Sequence, residues 1–256
     1  LFPYTTLFRS SYLQELGARG RRSILTRMLM SYLRLWDKQA AERPDVLLAN
    51  SLFTQERIAK YYRREAQVVY PGALTLFEKT KNLFPDGQQS ERSYFLVVSR
   101  LTHSKKIDTV IDAFNKLSLP LVVVGGGPEE KRLRRRAGEH TRFVGFVDDQ
   151  ELARLYRGAR ALLFPSEEDF GMVAVEALSF GTPVIGLDYG GLREIITPGV
   201  TGEFFHTAAP EIIAEGVRRF LEHEGAYDVT SMQESVKKFS QENFQRQVKE
   251  TVEAHK

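Results

Sequence analysis

The stretch ALLFPSEEDFGMVAVE, residues 161–176, predicts a buried strand, a turn and the first turns of a helix. Its apolar run, residues 161–164, ends at a proline, and a helical pattern starts at Gly171. The turn carries Glu168 and the helix carries Glu176. Free N–H groups at a helix start favour an anion such as a phosphate. Carboxylates accept hydrogen bonds from hydroxyls instead, so the combination predicts a site for a sugar nucleotide.

Around this stretch, apolar runs alternate with helical patterns from residue 94 to residue 205. The predicted strands are 95–98, 121–124, 142–144, 161–164, 184–186 and 203–205, and the predicted helices are 107–117, 129–137, 149–156, 171–180 and 191–196. This alternation is typical of a parallel sheet with helices on both faces. We therefore predict a doubly wound α/β domain whose ligand lies at the carboxyl ends of the strands.

The chain before residue 94 is less regular. LFPYTTLFRS, residues 1–10, connects to no later pattern; we predict a non-native leader, with a frayed natural terminus as the alternative. The predicted elements that follow are an amphipathic helix over 21–42, a strand at 46–49, a helix capped by Ser51 that runs to Tyr62, and a strand at 67–70. The stretch 71–93, interrupted by Pro-Asp-Gly, is predicted to be an interdomain connector.

Composition excludes several classes of protein. The 256 residues include no cysteine, which excludes disulfides, thiol nucleophiles and cysteine metal sites. The net charge of +3 argues against a polyanion-binding molecule, although basic clusters occur at residues 19–34 and 131–136. Each cluster is interpreted as a solvated helix face or as a patch for anionic lipid. The sequence contains no apolar run long enough to span a membrane and no signal-peptide pattern. We therefore predict a cytoplasmic protein, and the alternative is one that associates peripherally with the inner face of a membrane.

Other loops at strand ends carry groups that suit the same ligand. Arg100 and Lys105 follow the first strand of the sheet and suit a diphosphate, although most such residues are merely solvated. The glycine run that starts at Gly125 allows close approach of the backbone to a ligand, and a tight structural turn explains it equally well. Phe146 and Val147 follow the third strand, where they are placed to line a base pocket.

No metal pattern accompanies these groups. The five histidines show no ligand spacing, and no Asp-x-Asp stands at a strand end. HExxH, GxSxG and Walker motifs are also absent from the sequence. If a diphosphate leaves from this site, protein cations and helix N–H groups must therefore neutralise its charge.

The run SEEDFGMVAVEALSFGTPVIG, residues 166–186, resembles the ExFGxxxxE…GTPVI signature of the family 4 retaining glycosyltransferases, which have the GT-B fold. The similarity extends through VVSRLTHSKKIDTVIDAF, VVVGGGPEEKRL, RFVGFVDDQELARLY and TGEFF. It covers residues 50–205, and its finer match is to bacterial mannosyltransferase-like members that act on surface polysaccharide.

The resemblance implies a Rossmann-like donor domain over residues 94–230. It also implies that 11–70 are a remnant of the acceptor-side N-terminal domain and that 231–256 form the helix that crosses back to it. We therefore predict an N-terminally truncated chain with doubtful turnover. We also expect an uncovered apolar face on its first helix to favour self-association.

The chemistry that the resemblance implies is retaining, metal-independent transfer of a hexose, with mannose as the expected sugar. The donor is a UDP- or GDP-sugar, the acceptor is a polysaccharide or glycolipid, and no cofactor or nucleic acid takes part. The alternatives are a noncatalytic nucleotide-sugar-binding module and a GT-B sugar-nucleotide epimerase.

The family's site residues carry over by position. Arg100 and Lys105 match family residues that hold the diphosphate. Glu168 matches a residue that contacts the transferred sugar, and Glu176 matches a residue that holds the ribose diol. Glu167, beside Glu168, is the alternative for that role. The resemblance also implies that the sugar and the distal phosphate contact the backbone of Phe170, Gly171, Met172 and Val173. The base is implied to contact Phe146 and Val147.

Overall fold

The computed structural model describes residues 24–84 and 91–255. The predicted leader, residues 1–10, lies outside them. The chain divides into two compact units, Leu1–Val69 and Tyr70–Lys256. The assignment of these units to the acceptor and donor sides remains a prediction.

The described part of the first unit is built from four short elements. They are α1 (Ile24–Ala41), β1 (Leu48–Ala49), α2 (Leu52–Tyr62) and β2 (Gln67–Val68). The two strands pair in parallel, and Ala49, Ile58 and Tyr62 form part of a small core. Helix α2 is capped as predicted, because the Ser51 hydroxyl accepts a hydrogen bond from the Thr54 N–H at 3.0 Å.

One face of α1 carries apolar side chains that are exposed. Its exposed apolar side chains, which are 48–65% accessible, are Met28, Leu29, Tyr32, Leu35 and Trp36. Spacings of three and four residues place them on one side of the helix. The predicted apolar face is therefore present and exposed, and the self-association that we expect from it remains a prediction.

The second unit is built on a six-stranded parallel sheet. Its strands are β3 (Tyr94–Val98), β4 (Leu121–Val124), β5 (Thr141–Gly145), β6 (Ala159–Phe164), β7 (Val184–Leu187) and β8 (Gly202–Phe205), in the order β5-β4-β3-β6-β7-β8. All four residues of β4 are buried, as expected for a strand covered on both faces. The predicted doubly wound α/β fold is confirmed.

Eight helices in the described residues belong to this unit. They are α3 (Thr75–Thr80), α4 (Ile107–Leu117), α5 (Glu130–Arg136), α6 (Asp149–Arg157), α7 (Met172–Ser179), α8 (Pro210–His223), α9 (Val229–Val236) and α10 (Gln241–Ala254). The helix predicted at 191–196 is a 3-10 helix at Gly190–Glu194. The helical stretch predicted near the end of the chain is interrupted at Lys237–Phe239, after which Ser240 caps α10. None of the described helices is both long and apolar enough to cross a bilayer.

The predicted connector, residues 71–93, is only partly a connector. It contains α3, and Leu74 and Leu76 are buried in the core of the second unit. The Ala73 N–H also donates to the Phe239 carbonyl at 2.9 Å. The beginning of this segment therefore packs as part of the second unit, because its leucines bury apolar surface there.

The sheet order places a topological switch point between β3 and β6. The chain winds from β3 outward to β5, returns to β6 beside β3, and then winds the other way to β8. The loops that follow β3 and β6 therefore diverge and leave a crevice at the carboxyl edge. The sequence places Arg100, Lys105 and Glu168 in these two loops.

Candidate functional site

Two predicted site residues meet across the switch point. Lys105 ends the 3-10 helix His103–Lys105 after β3, and Glu168 lies in the loop after β6. The Lys105 ammonium forms an ion pair with Glu168 Oε1. The two side chains remain 30% and 27% exposed, so a ligand in the crevice can reach both. Ser166 Oγ lies 3.4 Å from the same carboxylate oxygen.

Arg100, the other predicted cation, is exposed. Within residues 24–84 and 91–255, its guanidinium has no hydrogen-bond or ion-pair partner. Lys105 is therefore paired with a carboxylate, and Arg100, with respect to the described residues, is available to an anion.

The loop that carries Glu168 is held on both sides. The Gly191 N–H donates to the Glu168 carbonyl at 3.1 Å. Phe170 is 3% exposed and contacts two rings, Tyr70 at 5.9 Å and Phe239 at 5.1 Å between centroids. The Phe170 side chain is thus part of the core, and only its backbone is placed to contact a ligand.

Helix α7 starts directly after this loop. Gly171, its N-cap, has φ +107°, a conformation that favours glycine. Met172, the first helical residue, is 48% exposed, and Val173 is half-buried. In the first turn, the Ala174 N–H donates to the Gly171 carbonyl at 3.0 Å, whereas the N–H groups of Met172 and Val173 have no partner among the described residues. These two groups begin beside the crevice, as the predicted phosphate contact requires.

Glu176 lies in the second turn of α7 and is half-buried. Its Oε2 accepts a hydrogen bond from the hydroxyl of Tyr156, a fully buried residue of α6, at 2.9 Å. Burial raises the pKa of Glu176, the Tyr156 hydrogen bond lowers it, and the charge of Asp149 raises it further. Glu176 is therefore not a freely solvated helical glutamate. Sequence reasoning missed Tyr156, which occupies an apolar position in the pattern of α6.

The glycine run after β4 packs against the neighbouring loop. Gly125 has φ +110°, and a Cβ there would collide with the Ser99 carbonyl oxygen. A Cβ on Gly126 would lie 2.6 Å from the ring of Phe146. These approaches support the structural interpretation of the run, and a ligand contact at Gly125 remains a prediction. Phe146 itself is 84% exposed and Val147 is half-buried, which leaves their surfaces open at the end of β5.

The basic cluster on α5 is largely neutralised by nearby carboxylates. The ion pairs are Arg132 with Glu129 and Asp108, Arg134 with Glu130, and Arg136 with Asp112. This pairing favours the solvated helix face over a lipid-binding patch. In the described part of the chain, no group of three or more metal-ligating side chains is placed to hold an ion.

Comparison with known proteins identifies the family of the chain and solved structures with a similar fold. Residues 78–244 match the family described as "Glycosyl transferases group 1". The chain is 36% identical over 183 residues to an uncharacterized glycosyltransferase of Methanocaldococcus jannaschii, covering 66% of this chain and 46% of that protein. It is 32% identical over 105 residues to the O-antigen chain mannosyltransferase C of Escherichia coli, covering 38% of this chain and 28% of that protein. The chain spans about half the length of the first curated relatives that it matches.

Among solved structures, Anabaena HepE in complex with UDP and glucose superposes with a TM-score of 0.71 at 22% identity. The match covers 86% of this chain and 66% of that one. At this identity the likeness shows the fold, which agrees with the Rossmann-like sheet and with the predicted GT-B class.

Proposed function

Because the chain belongs to the group 1 glycosyl transferases, we propose that it acts on a nucleoside diphosphate sugar and transfers a hexose to a polysaccharide or glycolipid acceptor. The proposed transfer retains the anomeric configuration and uses no metal ion. The observation that carries the proposal is the meeting of Lys105 and Glu168 at the switch point of the sheet. A cation and a carboxylate in one crevice match the two ends of such a donor, its diphosphate and its sugar hydroxyls.

In the proposed donor complex, positive charge surrounds the diphosphate. Arg100 and Lys105 supply cations from the β3 loop, and the first turn of α7 supplies backbone N–H groups. As the bond from the sugar to the phosphate breaks, negative charge grows on the leaving diphosphate. Fixed donors that face this charge lower the barrier because they need not reorganise.

The carboxylates of the site act on hydroxyls. Glu168 lies beside Lys105 and is proposed to accept hydrogen bonds from the sugar that is transferred. Glu176, in the second turn of α7, is proposed to accept them from the ribose. Lys105 must leave Glu168 to hold the diphosphate, so donor binding replaces an internal ion pair by two contacts with the ligand.

Mannose as the sugar and a surface polysaccharide as the product are the finer part of the proposal. They are supported by the similarity to an O-antigen chain mannosyltransferase and by the finer resemblance of the motif run. UDP as the alternative nucleotide is supported by the likeness to a structure that holds UDP and glucose.

Calorimetric titration of the chain with GDP-mannose, GDP, UDP-glucose and UDP tests the donor site. We expect one nucleotide series to bind and Arg100→Ala to weaken it, while Arg135→Ala, which removes an exposed arginine of α5, leaves affinity unchanged. If the folded chain binds none of the four, the proposal is wrong. Product analysis on UDP-N-acetylglucosamine without acceptor tests the epimerase alternative.

A further inference from the structure

Tyr156 is a buried tyrosine whose hydroxyl donates to a carboxylate of the candidate site. Its ring is fully buried and stacks on Phe180 with centroids 5.6 Å apart and planes 9° from parallel. Its carbonyl oxygen accepts a hydrogen bond from the Thr182 hydroxyl at 2.5 Å. A buried tyrosine hydroxyl needs a polar partner, and here the partner is Glu176 Oε2 at 2.9 Å.

This contact gives the Glu176 carboxylate a fixed orientation. One oxygen, Oε2, is bonded to Tyr156 from the interior. The other, Oε1, accepts no hydrogen bond from any residue that the structure describes. An ionised carboxylate has about four acceptor positions, so the Tyr156 bond leaves enough for two hydroxyls. The side chain therefore presents a pre-set pair of oxygens at low conformational cost.

We infer that Tyr156 is a positioning residue for ribose recognition: its hydroxyl orients Glu176 so that the remaining acceptor positions meet the two ribose hydroxyls of the donor nucleotide. The inference rests on the proposed function, since it concerns the same site. Without this bond, Glu176 samples several rotamers, and only some of them face the ribose. Tyr156 touches no substrate and acts through Glu176 alone.

The test is the preference of the site for ribose over deoxyribose. Wild-type chain and Tyr156→Phe are titrated by calorimetry with UDP and GDP and with the 2′-deoxy forms of both. The wild type is expected to prefer the ribonucleotide. Tyr156→Phe keeps the buried ring, so its affinity for the ribonucleotide should fall about tenfold, while its affinity for the 2′-deoxy form, which keeps one of the two hydroxyls, should fall less. The preference is therefore expected to shrink.

Tyr227→Phe is the matched control. The Tyr227 hydroxyl donates to Glu203 Oε1 at 2.8 Å, and Glu203 lies on β8 at the edge of the sheet. This variant loses the same kind of tyrosine–carboxylate bond away from the site, and it should leave both affinities unchanged.

The outcomes separate the inference from the proposed function. If the wild type binds none of the nucleotides, the proposed function is wrong. If the wild type binds and Tyr156→Phe keeps the wild-type ratio of ribo to deoxy affinity, the positioning role is overturned. That outcome includes an equal fold-loss of affinity for both nucleotides, since such a loss comes from the fold and not from the orientation of Glu176.

A second variant covers the case in which Tyr156→Phe does not fold. Replacing Tyr156 by 3-fluorotyrosine keeps the hydroxyl and makes it a stronger donor. The ratio of ribonucleotide to deoxynucleotide affinity should then rise by about twofold relative to the wild type. An unchanged ratio would count against the inference.

Discussion

Replacing Glu168 by glutamine should tighten the binding of a nucleoside diphosphate that carries no sugar. In the free protein, the Lys105 ammonium is ion-paired with Glu168. A diphosphate that needs Lys105 must compete with this carboxylate, which would also repel the phosphate charge. Glutamine keeps the size of the side chain and removes the charge, so it frees Lys105 and ends the repulsion.

The expected size follows from the exposure of the pair. Both side chains are less than one third exposed, 30% for Lys105 and 27% for Glu168. Solvent-exposed pairs contribute about 0–1 kcal/mol, and this pair, which remains open to water and salt, should lie near the upper end. A gain of about 0.5–1 kcal/mol corresponds to a two- to fivefold lower Kd.

Titration with UDP and GDP at low and high salt measures this change. The gain should be larger at low salt because screening weakens both the pair and the repulsion. Glu167→Gln removes the same charge one residue earlier and is the control, with an expected change below about twofold. Unchanged or weaker nucleotide binding in Glu168→Gln would refute the idea that the ion pair competes with the diphosphate.

Three further changes probe the loop and the core. Phe170→Ala removes a ring packed on two others and should lower the free energy of unfolding by about 3–5 kcal/mol in denaturant titration. Gly125→Ala places a Cβ against the Ser99 carbonyl at positive φ and should cost about 2 kcal/mol or more, measured as a lower Tm. Glu176→Gln should not lower stability at neutral pH, because burial raises the pKa of Glu176 above its ordinary 4.5 and so disfavours the charge. The native state then binds the proton more tightly than the unfolded chain, so wild-type stability rises as pH falls below the raised pKa, and any advantage of the amide should shrink towards acid pH.

Matched controls accompany these variants. Phe146→Ala removes a ring that is 84% exposed and should leave the free energy of unfolding nearly unchanged. Gly225→Ala adds a Cβ in open space and should cost little. A Phe170→Ala variant as stable as Phe146→Ala would contradict the packing described for the three rings, and a clear loss for Glu176→Gln at neutral pH would contradict the cost assigned to its charge.

The sheet could be predicted because its strands are short apolar runs, and inner strands such as β4 are buried on both faces. The run Leu121–Val124 coincides with the observed β4, and the helix predicted at 107–117 coincides with α4. Helix α8 was missed although proline at its first position and its apolar spacing signal a helix. Helix α3 gives a weaker signal, since it has six residues and follows Leu74, whose side chain cannot cap it.

The candidate site could be predicted at the level of loops and not of contacts. Alternation of strands and helices predicts parallel strands, so the loops with Lys105 and Glu168 were expected at one edge of the sheet. Their ion pair depends on rotamers that spacing does not encode. Tyr156 was out of reach because a tyrosine at an apolar helix position has the pattern of a core residue. Its hydroxyl donates a hydrogen bond to Glu176, which lies twenty positions later in the sequence on another helix.

The central pairing of β3 with β6 also has a consequence for folding kinetics. Lys105 and Glu168 are 63 positions apart in the sequence, and they come together only when two halves of the sheet, each made of locally wound units, dock side by side. Because contacts between distant parts of the chain form slowly, we expect this docking to be among the slower steps of folding. A nucleotide that bridges both loops would hold the two halves of the sheet together, so we expect slower unfolding of this unit at saturating nucleotide.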